Sequence, residues 1–142
     1  MQPESYLSVA SILSGFGVAV LMFRIQRELH VREKSPNSPN WLAWADYLVL
    51  SAILLSLLLV VFPLMAFGQT GGRVLALAAG SCAAAAILLA AYPFAILDHY
   101  RIELGAKRQG DRHKGEPIEK AIVIVAGVFA AGVFGAIVTC RW

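Results

Sequence analysis

Residues 41–67 read WLAWADYLVLSAILLSLLLVVFPLMAF, and this stretch decides the fold class. From Tyr47 to Phe67 there is no charged side chain, and Leu, Val, Ile and Phe fill most positions. A helix rises about 1.5 Å per residue, so about twenty apolar residues cross a hydrocarbon core about 30 Å thick. Trp41, Trp44 and Tyr47 stand at the start of the run, where amphipathic rings favour the headgroup boundary. The stretch predicts a transmembrane helix with one interface marked.

The composition of the whole chain agrees with this prediction. Of the 142 residues, 58% are hydrophobic and 15% are charged, whereas a soluble domain carries about 25% charged residues. The chain is therefore expected to be an all-α membrane protein with one domain over residues 1–142. Its two cysteines, Cys82 and Cys140, have no CxxC spacing and are expected to be inert apolar residues instead of a disulfide.

Three further apolar runs complete a pattern of four transmembrane helices. The predicted helices cover about residues 6–34, 39–67, 73–104 and 117–140, with loops at 35–38 and 105–116. The connections rich in Pro, Asn and Gly end the helices and are short, which predicts two antiparallel hairpins. Pro63 is expected to kink the second helix. The alanine-rich third helix is expected to pack against other helices.

The distribution of charge predicts the orientation in the membrane. Ten of the twelve basic residues lie in or beside the first and third connections, and only Arg73 and Arg141 lie on the other side. The positive-inside rule then makes both loops cytoplasmic and both termini external, in a bacterial inner membrane or an equivalent one. The cytoplasmic side also holds eight of the nine acidic residues, so its net charge is only +2. Bulk charge therefore gives little support for capture of anionic lipid and predicts no nucleic-acid partner.

Two of the predicted helices carry small residues at helical spacing. They are Ser8, Ser11 and Gly15 in the first helix, and Gly127, Ala131 and Gly135 in the fourth. Residues three or four apart share a helix face, and small side chains let another backbone approach closely. These residues are therefore predicted to pack against a helix. For the first helix, the alternative is that its hydroxyls line a narrow polar path.

Asp46 is the most notable ionisable residue of the second run. Acidic groups at membrane depth often mark pathways for ions or protons. Trp44 and Tyr47 flank Asp46, however, and aromatic residues mark the membrane interface. We therefore expect Asp46 to be a membrane-interface charge, either hydrated or paired with Arg24 or Lys120.

No pattern in the sequence predicts catalysis or a cofactor. The chain has no GxSxG or HExxH motif, no P-loop and no pair of carboxylates within the membrane. A metal site from His30, Asp98, His99 and His113 is the one combination to consider, but no HxxxH spacing places two ligands on one helix face. We predict no catalytic residue, no metal and no cofactor.

These observations favour a small non-enzymatic protein that acts through helix packing. Its expected partners are the lipid bilayer and either copies of itself or the other subunits of a membrane complex, in which it is an accessory chain. The alternative is a homo-oligomeric ion channel or pore, lined by the Ser and Gly residues of the first helix or by the region of Asp46.

Overall fold

The computed structural model describes residues 2–34, 43–67, 71–105 and 116–140, and within these ranges it is helical with no strand. The elements are α1 (Pro3–Lys34), α2 (Ala45–Ser56), a π-helical segment (Leu57–Val61), α3 (Phe62–Phe67), α4 (Gly72–Gly105) and α5 (Glu116–Cys140). Four stretches are long and apolar enough to cross a membrane: Pro3–His30, Ala45–Ala66, Gly72–Asp98 and Ile118–Cys140. The predicted all-α architecture with four such helices is confirmed.

The second of these stretches contains a π-helical segment that ends two residues before Pro63. The backbone N–H of Phe62 donates to the carbonyl of Leu57, five residues earlier. Proline has no N–H, and its ring crowds the carbonyl four residues before it. A wider π turn is one way for a helix to continue past such a disturbance. The irregularity near Pro63 is therefore this π-helical segment, and the helix resumes as α3.

The second helix begins later than the sequence predicted. Ala43 and Trp44 are not helical, and α2 begins at Ala45. Asp46 therefore lies in the first turn of α2, where the partial positive charge of a helix N-terminus favours an acidic side chain. The predicted loop at 35–38, and residues 106–115 of the other predicted loop, lie outside the described residues.

The central element of the bundle is α4, which packs against α5, α2 and α1. Half of the residues in its most apolar window are buried, compared with 11% in that of α5. Its small side chains make this possible, since Ala78, Ala84 and Ala85 are all buried. The alanine-rich helix thus forms the middle of the core.

Two glycines mark the closest approaches between helices. A Cβ atom on Gly17 of α1 would lie 2.7 Å from Cγ1 of Ile53, and one on Gly80 of α4 would lie 3.2 Å from the carbonyl oxygen of Phe134. Both positions are tighter than an added side chain tolerates without movement of its neighbour. Glycine at these two sites allows α1 to approach α2 and α4 to approach α5.

Neither cysteine forms a disulfide. Cys82 is buried in α4, and its thiol donates a weak hydrogen bond to the carbonyl oxygen of Tyr6 at 3.9 Å. Cys140 is free and exposed near the end of α5. Cys82 therefore contributes to the contact between α4 and α1 as a small apolar side chain.

Candidate functional site

A charged cluster, Arg24, Glu28 and Asp46, lies where α1 meets the start of α2. The Arg24 guanidinium is 2.6 Å from the Glu28 carboxylate and 3.6 Å from Oδ1 of Asp46. The side chain of Arg24 is only 4% exposed and that of Asp46 is 18% exposed. Asp46 is thus paired with Arg24, one of the two partners that the sequence suggested. The other, Lys120, lies with its ammonium 4.9 Å from the centre of the Trp44 ring.

Glu119 of α5 is a buried acidic residue whose role is not predicted by the sequence pattern. It has no exposed surface, and its Oε1 accepts a hydrogen bond of 2.9 Å from the backbone N–H of Ala45. Trp44, at the N-cap of α2, supplies no side-chain cap of its own. Glu119 therefore caps α2 from another helix, and the N-terminal dipoles of α2 and α5 both favour its negative charge. A glutamate in a helix's first turn was the only signal in the sequence, and it does not identify a distant partner.

The small residues predicted on the first helix lie on the surface of the bundle. Ser8, Ser11 and Gly15, hereafter the α1 small face, are exposed, and no atom of the described residues packs within 4 Å of a Cβ built on Gly15. The hydroxyl of Ser8 donates to the carbonyl of Glu4 at 3.0 Å. With 3.6 residues per turn, Gly15 points away from the side of α1 that Gly17 presents to α2. The α1 small face is therefore directed away from the core.

The small residues predicted on the fourth helix are also left without a tightly packed neighbour. Gly127, Ala131 and Gly135, hereafter the α5 small face, are exposed or half-buried, and within the described ranges no neighbour lies within 4 Å of a Cβ built on either glycine. The buried small residues of α5 are instead Ala126 and Ala130. Packing of either small face against a second protein stays a prediction.

Three buried hydroxyls add polarity inside the apolar bundle. Ser14 donates to the carbonyl of Ser11 at 3.2 Å. The hydroxyls of Ser56 and Ser81 are buried and have no hydrogen-bond partner among the described residues. An unsatisfied hydroxyl in an apolar interior is unfavourable. The sequence does not distinguish Ser56 and Ser81 from other serines, because serine is also common at helix–helix contacts where its hydroxyl is bonded.

The described residues hold no group of three His, Cys, Asp or Glu side chains that can bind a metal ion. His30 is largely exposed and lies 3.9 Å from the carboxylate of Glu33. The side chain of His99 and the whole of His113 lie outside the described residues, so the combination considered from the sequence is not assembled in the described part.

Four long apolar helices packed together define the class of this chain as a helical membrane protein. No protein-family model, characterised protein or solved structure matches it. Its function has to be inferred from its own surfaces and buried groups.

Proposed function

We propose that this chain is a small non-catalytic membrane protein that acts through helix packing, either with copies of itself or as an accessory subunit of a membrane complex. The observation that carries the proposal is the position of the α1 small face. Gly17, on the inner side of α1, is closely packed against Ile53, whereas the space above Gly15 is open. The small residues on the outer side of α1 thus do not serve close packing against another described helix of the same chain.

Physical conditions in a bilayer make such a face favourable for association. Lipid tails are as apolar as Leu, so helices associate through close van der Waals packing and interhelical hydrogen bonds, both of which small residues permit. The α5 small face offers a second surface of the same kind on another peripheral helix. Association is assigned here to the α1 small face, because Gly15 lies opposite the side of α1 that packs within the bundle.

We infer that the helices form two antiparallel hairpins with both termini external and the basic loops cytoplasmic, in a bacterial inner membrane or an equivalent one. The bias of basic residues supports the orientation. The native Cys140 provides a test, because it is exposed near the C-terminus whereas Cys82 is buried. A membrane-impermeant maleimide should label intact cells at Cys140. The variant Lys34→Cys, in a Cys140→Ala background, should react only after permeabilisation, and the reverse pattern contradicts the orientation.

The association is tested by the native mass of the gently extracted protein and by cross-linking in its own membrane. The wild-type chain should assemble, and Gly15→Leu should weaken assembly by about tenfold, because a bulky side chain holds the partner backbone away. Phe16→Leu is the matched control, since Phe16 is an exposed neighbour that is already bulky. A wild-type chain that is monomeric in both detergent and membrane contradicts the proposal.

A homo-oligomeric pore is the second candidate, and the exposed serines of the α1 small face favour it. If α1 of each copy faced a common axis, Ser8 and Ser11 would line the path between apolar constrictions. Asp46 is a weaker lining candidate because it is paired with the buried Arg24. Purified protein in liposomes should then pass ions, and Ser11→Leu should block the flux more strongly than Asp46→Asn. No flux from the assembled wild-type protein rules out the pore.

A further inference from the structure

An apolar groove runs along the bundle between α2 and α5, with α4 as its floor. Its volume is about 360 Å³. Tyr47 and Leu59 lie towards its two ends on one wall, Gly127 and Ala131 lie on the other, and Leu88 is in the floor. Because Gly127 and Ala131 have almost no side chain, this wall is recessed.

A cation and a second aromatic ring, Lys120 and Trp44, lie close to the Tyr47 end of the groove. Lys120 is three residues before Val123 and seven before Gly127, so it shares the face of α5 that lines the groove. Its ammonium lies 4.9 Å from the centre of the Trp44 ring, and Tyr47 lies 5.9 Å from Trp44, centre to centre. Both spans begin at this level, at Ala45 and Ile118. Lysine and aromatic residues at the end of a span lie at headgroup depth.

The size of the groove fits a single hydrocarbon chain. A hydrocarbon chain running the roughly 18 Å from Tyr47 to Leu59, about 4.5 Å wide at van der Waals contact, occupies on the order of 300 Å³. The groove volume of about 360 Å³ matches the hydrocarbon chain.

We propose that this groove binds one anionic phospholipid, with an acyl chain between α2 and α5 and the phosphate at the Lys120 ammonium. The cation supplies the charge complementarity, and basic groups between transmembrane helices are the usual recognition elements for acidic headgroups. Trp44 and Tyr47 flank the lipid headgroup and the start of the acyl chain. The net charge of +2 on this side gave no such indication, because the site depends on one lysine placed close to the end of a groove.

The lipid site goes beyond the association proposed above and is separable from it. Gly127 and Ala131 line the groove, so lipid and a partner helix exclude each other along that wall of α5. The α1 small face lies on another helix and is untouched by the lipid. Lipid bound per chain can therefore be counted in the Gly15→Leu variant, in which association is weakened, as well as in the wild type.

The test is native mass spectrometry of the full, delipidated chain, titrated with phosphatidylglycerol or with phosphatidylcholine. We expect one tightly bound phosphatidylglycerol per chain and weaker binding of phosphatidylcholine. Lys120→Gln should reduce the preference for phosphatidylglycerol by about fivefold. Lys34→Gln, which removes an exposed lysine of α1, is the matched control and should leave the preference unchanged.

A second pair of variants tests the groove itself. Gly127→Leu should abolish binding of both lipids by filling the recessed wall, whereas Gly132→Leu should not, because Gly132 also has open space above it but does not line the groove. Unchanged helix content by circular dichroism establishes that both variants fold. Equal affinities of the wild type for the two lipids, retained binding in Gly127→Leu, or a cross-link between cysteines at position 127 of two copies overturns the proposal.

Discussion

The two sides of α1 use the same residue types in different surroundings. On the inner side, Gly17 lies against Ile53 and the Arg24 side chain is buried beside Asp46. On the outer side, Ser11 and Gly15 are exposed. Gly15 and Gly17 are separated by one residue and differ only in what the fold brings to them. A small residue in a membrane helix therefore indicates possible close approach but does not identify the approaching helix.

Helix α5 also has a packed inner side and an open outer side, but its close approach to the bundle depends on a glycine of another helix. Its inner side carries a charged group, Glu119, together with Ala126 and Ala130. The close approach to α4 depends on Gly80 of that helix and not on a glycine of α5. The glycines of α5 at positions 127, 132 and 135 have open space above them. Both peripheral helices thus have an inner side that holds the bundle together and an outer side that remains available.

The largest difference between the two sides is expected at Arg24. Arg24→Ala removes the cation beside Asp46 and leaves a poorly hydrated carboxylate, which should lower the free energy of unfolding by about 3 kcal/mol. Lys34→Ala, at an exposed site of the same helix, should have an effect below about 0.5 kcal/mol. Denaturant unfolding in detergent measures both. If Arg24→Ala and Lys34→Ala are equally stable, the ion pair is not a stabilising part of the inner side.

A direct comparison of the two sides comes from the glycines of α1. Gly17→Leu should destabilise the chain by about 2 kcal/mol, because a Cβ alone would already lie 2.7 Å from Ile53. Gly15→Leu should change the stability of the monomer by less than about 0.5 kcal/mol, since its side chain enters open space. The free energy of unfolding of the two variants, measured under conditions that keep the chain monomeric, tests this prediction. Equal losses of stability in the two variants would contradict the distinction between the inner and outer sides of α1.

The inner side of α5 is tested at Glu119. Glu119→Ala leaves the buried N–H of Ala45 without its acceptor and should cost about 2 kcal/mol. Glu119→Gln keeps an acceptor oxygen and should cost about 1 kcal/mol. Hydrogen exchange at the Ala45 amide should be faster in Glu119→Ala than in Glu119→Gln. An exchange rate unchanged from the wild type in both variants would contradict the cap.

The smallest effect is expected at the buried serines. Ser81→Ala removes a buried hydroxyl that has no hydrogen-bond partner among the described residues, and should leave stability unchanged or raise it by about 1 kcal/mol. Ser14→Ala removes a bonded hydroxyl and should lower stability by about 0.5 kcal/mol. Changes of opposite sign in the free energy of unfolding of the two variants would support the assignment of Ser81 as unbonded and Ser14 as bonded. A clear loss in Ser81→Ala would indicate a hydrogen bond to a bound molecule or water.

The sequence is sufficient to predict the four apolar helices, but it is not sufficient to predict which side of each helix packs inside the bundle. Runs such as residues 47–67 carry no charge over the thickness of a bilayer, and this property is visible without any tertiary information. The sequence predicts a second helix from residue 39, whereas α2 begins at Ala45. The cap on Ala45 is Glu119, which is 74 residues away. Local patterns do not report a cap supplied by another helix.

What the sequence by itself determined is the class of protein: a chain of four apolar helices with an alanine-rich helix suited to the middle. These properties follow from length, hydrophobicity and side-chain volume, which belong to each segment alone. Only the tertiary structure decided that Gly17 is packed while Gly15 is open, that Asp46 meets Arg24, and that Lys120 lies over the ring of Trp44. The physical reason is that helical periodicity defines the faces of each helix, whereas the packing of helices against one another decides which face meets protein and which remains exposed.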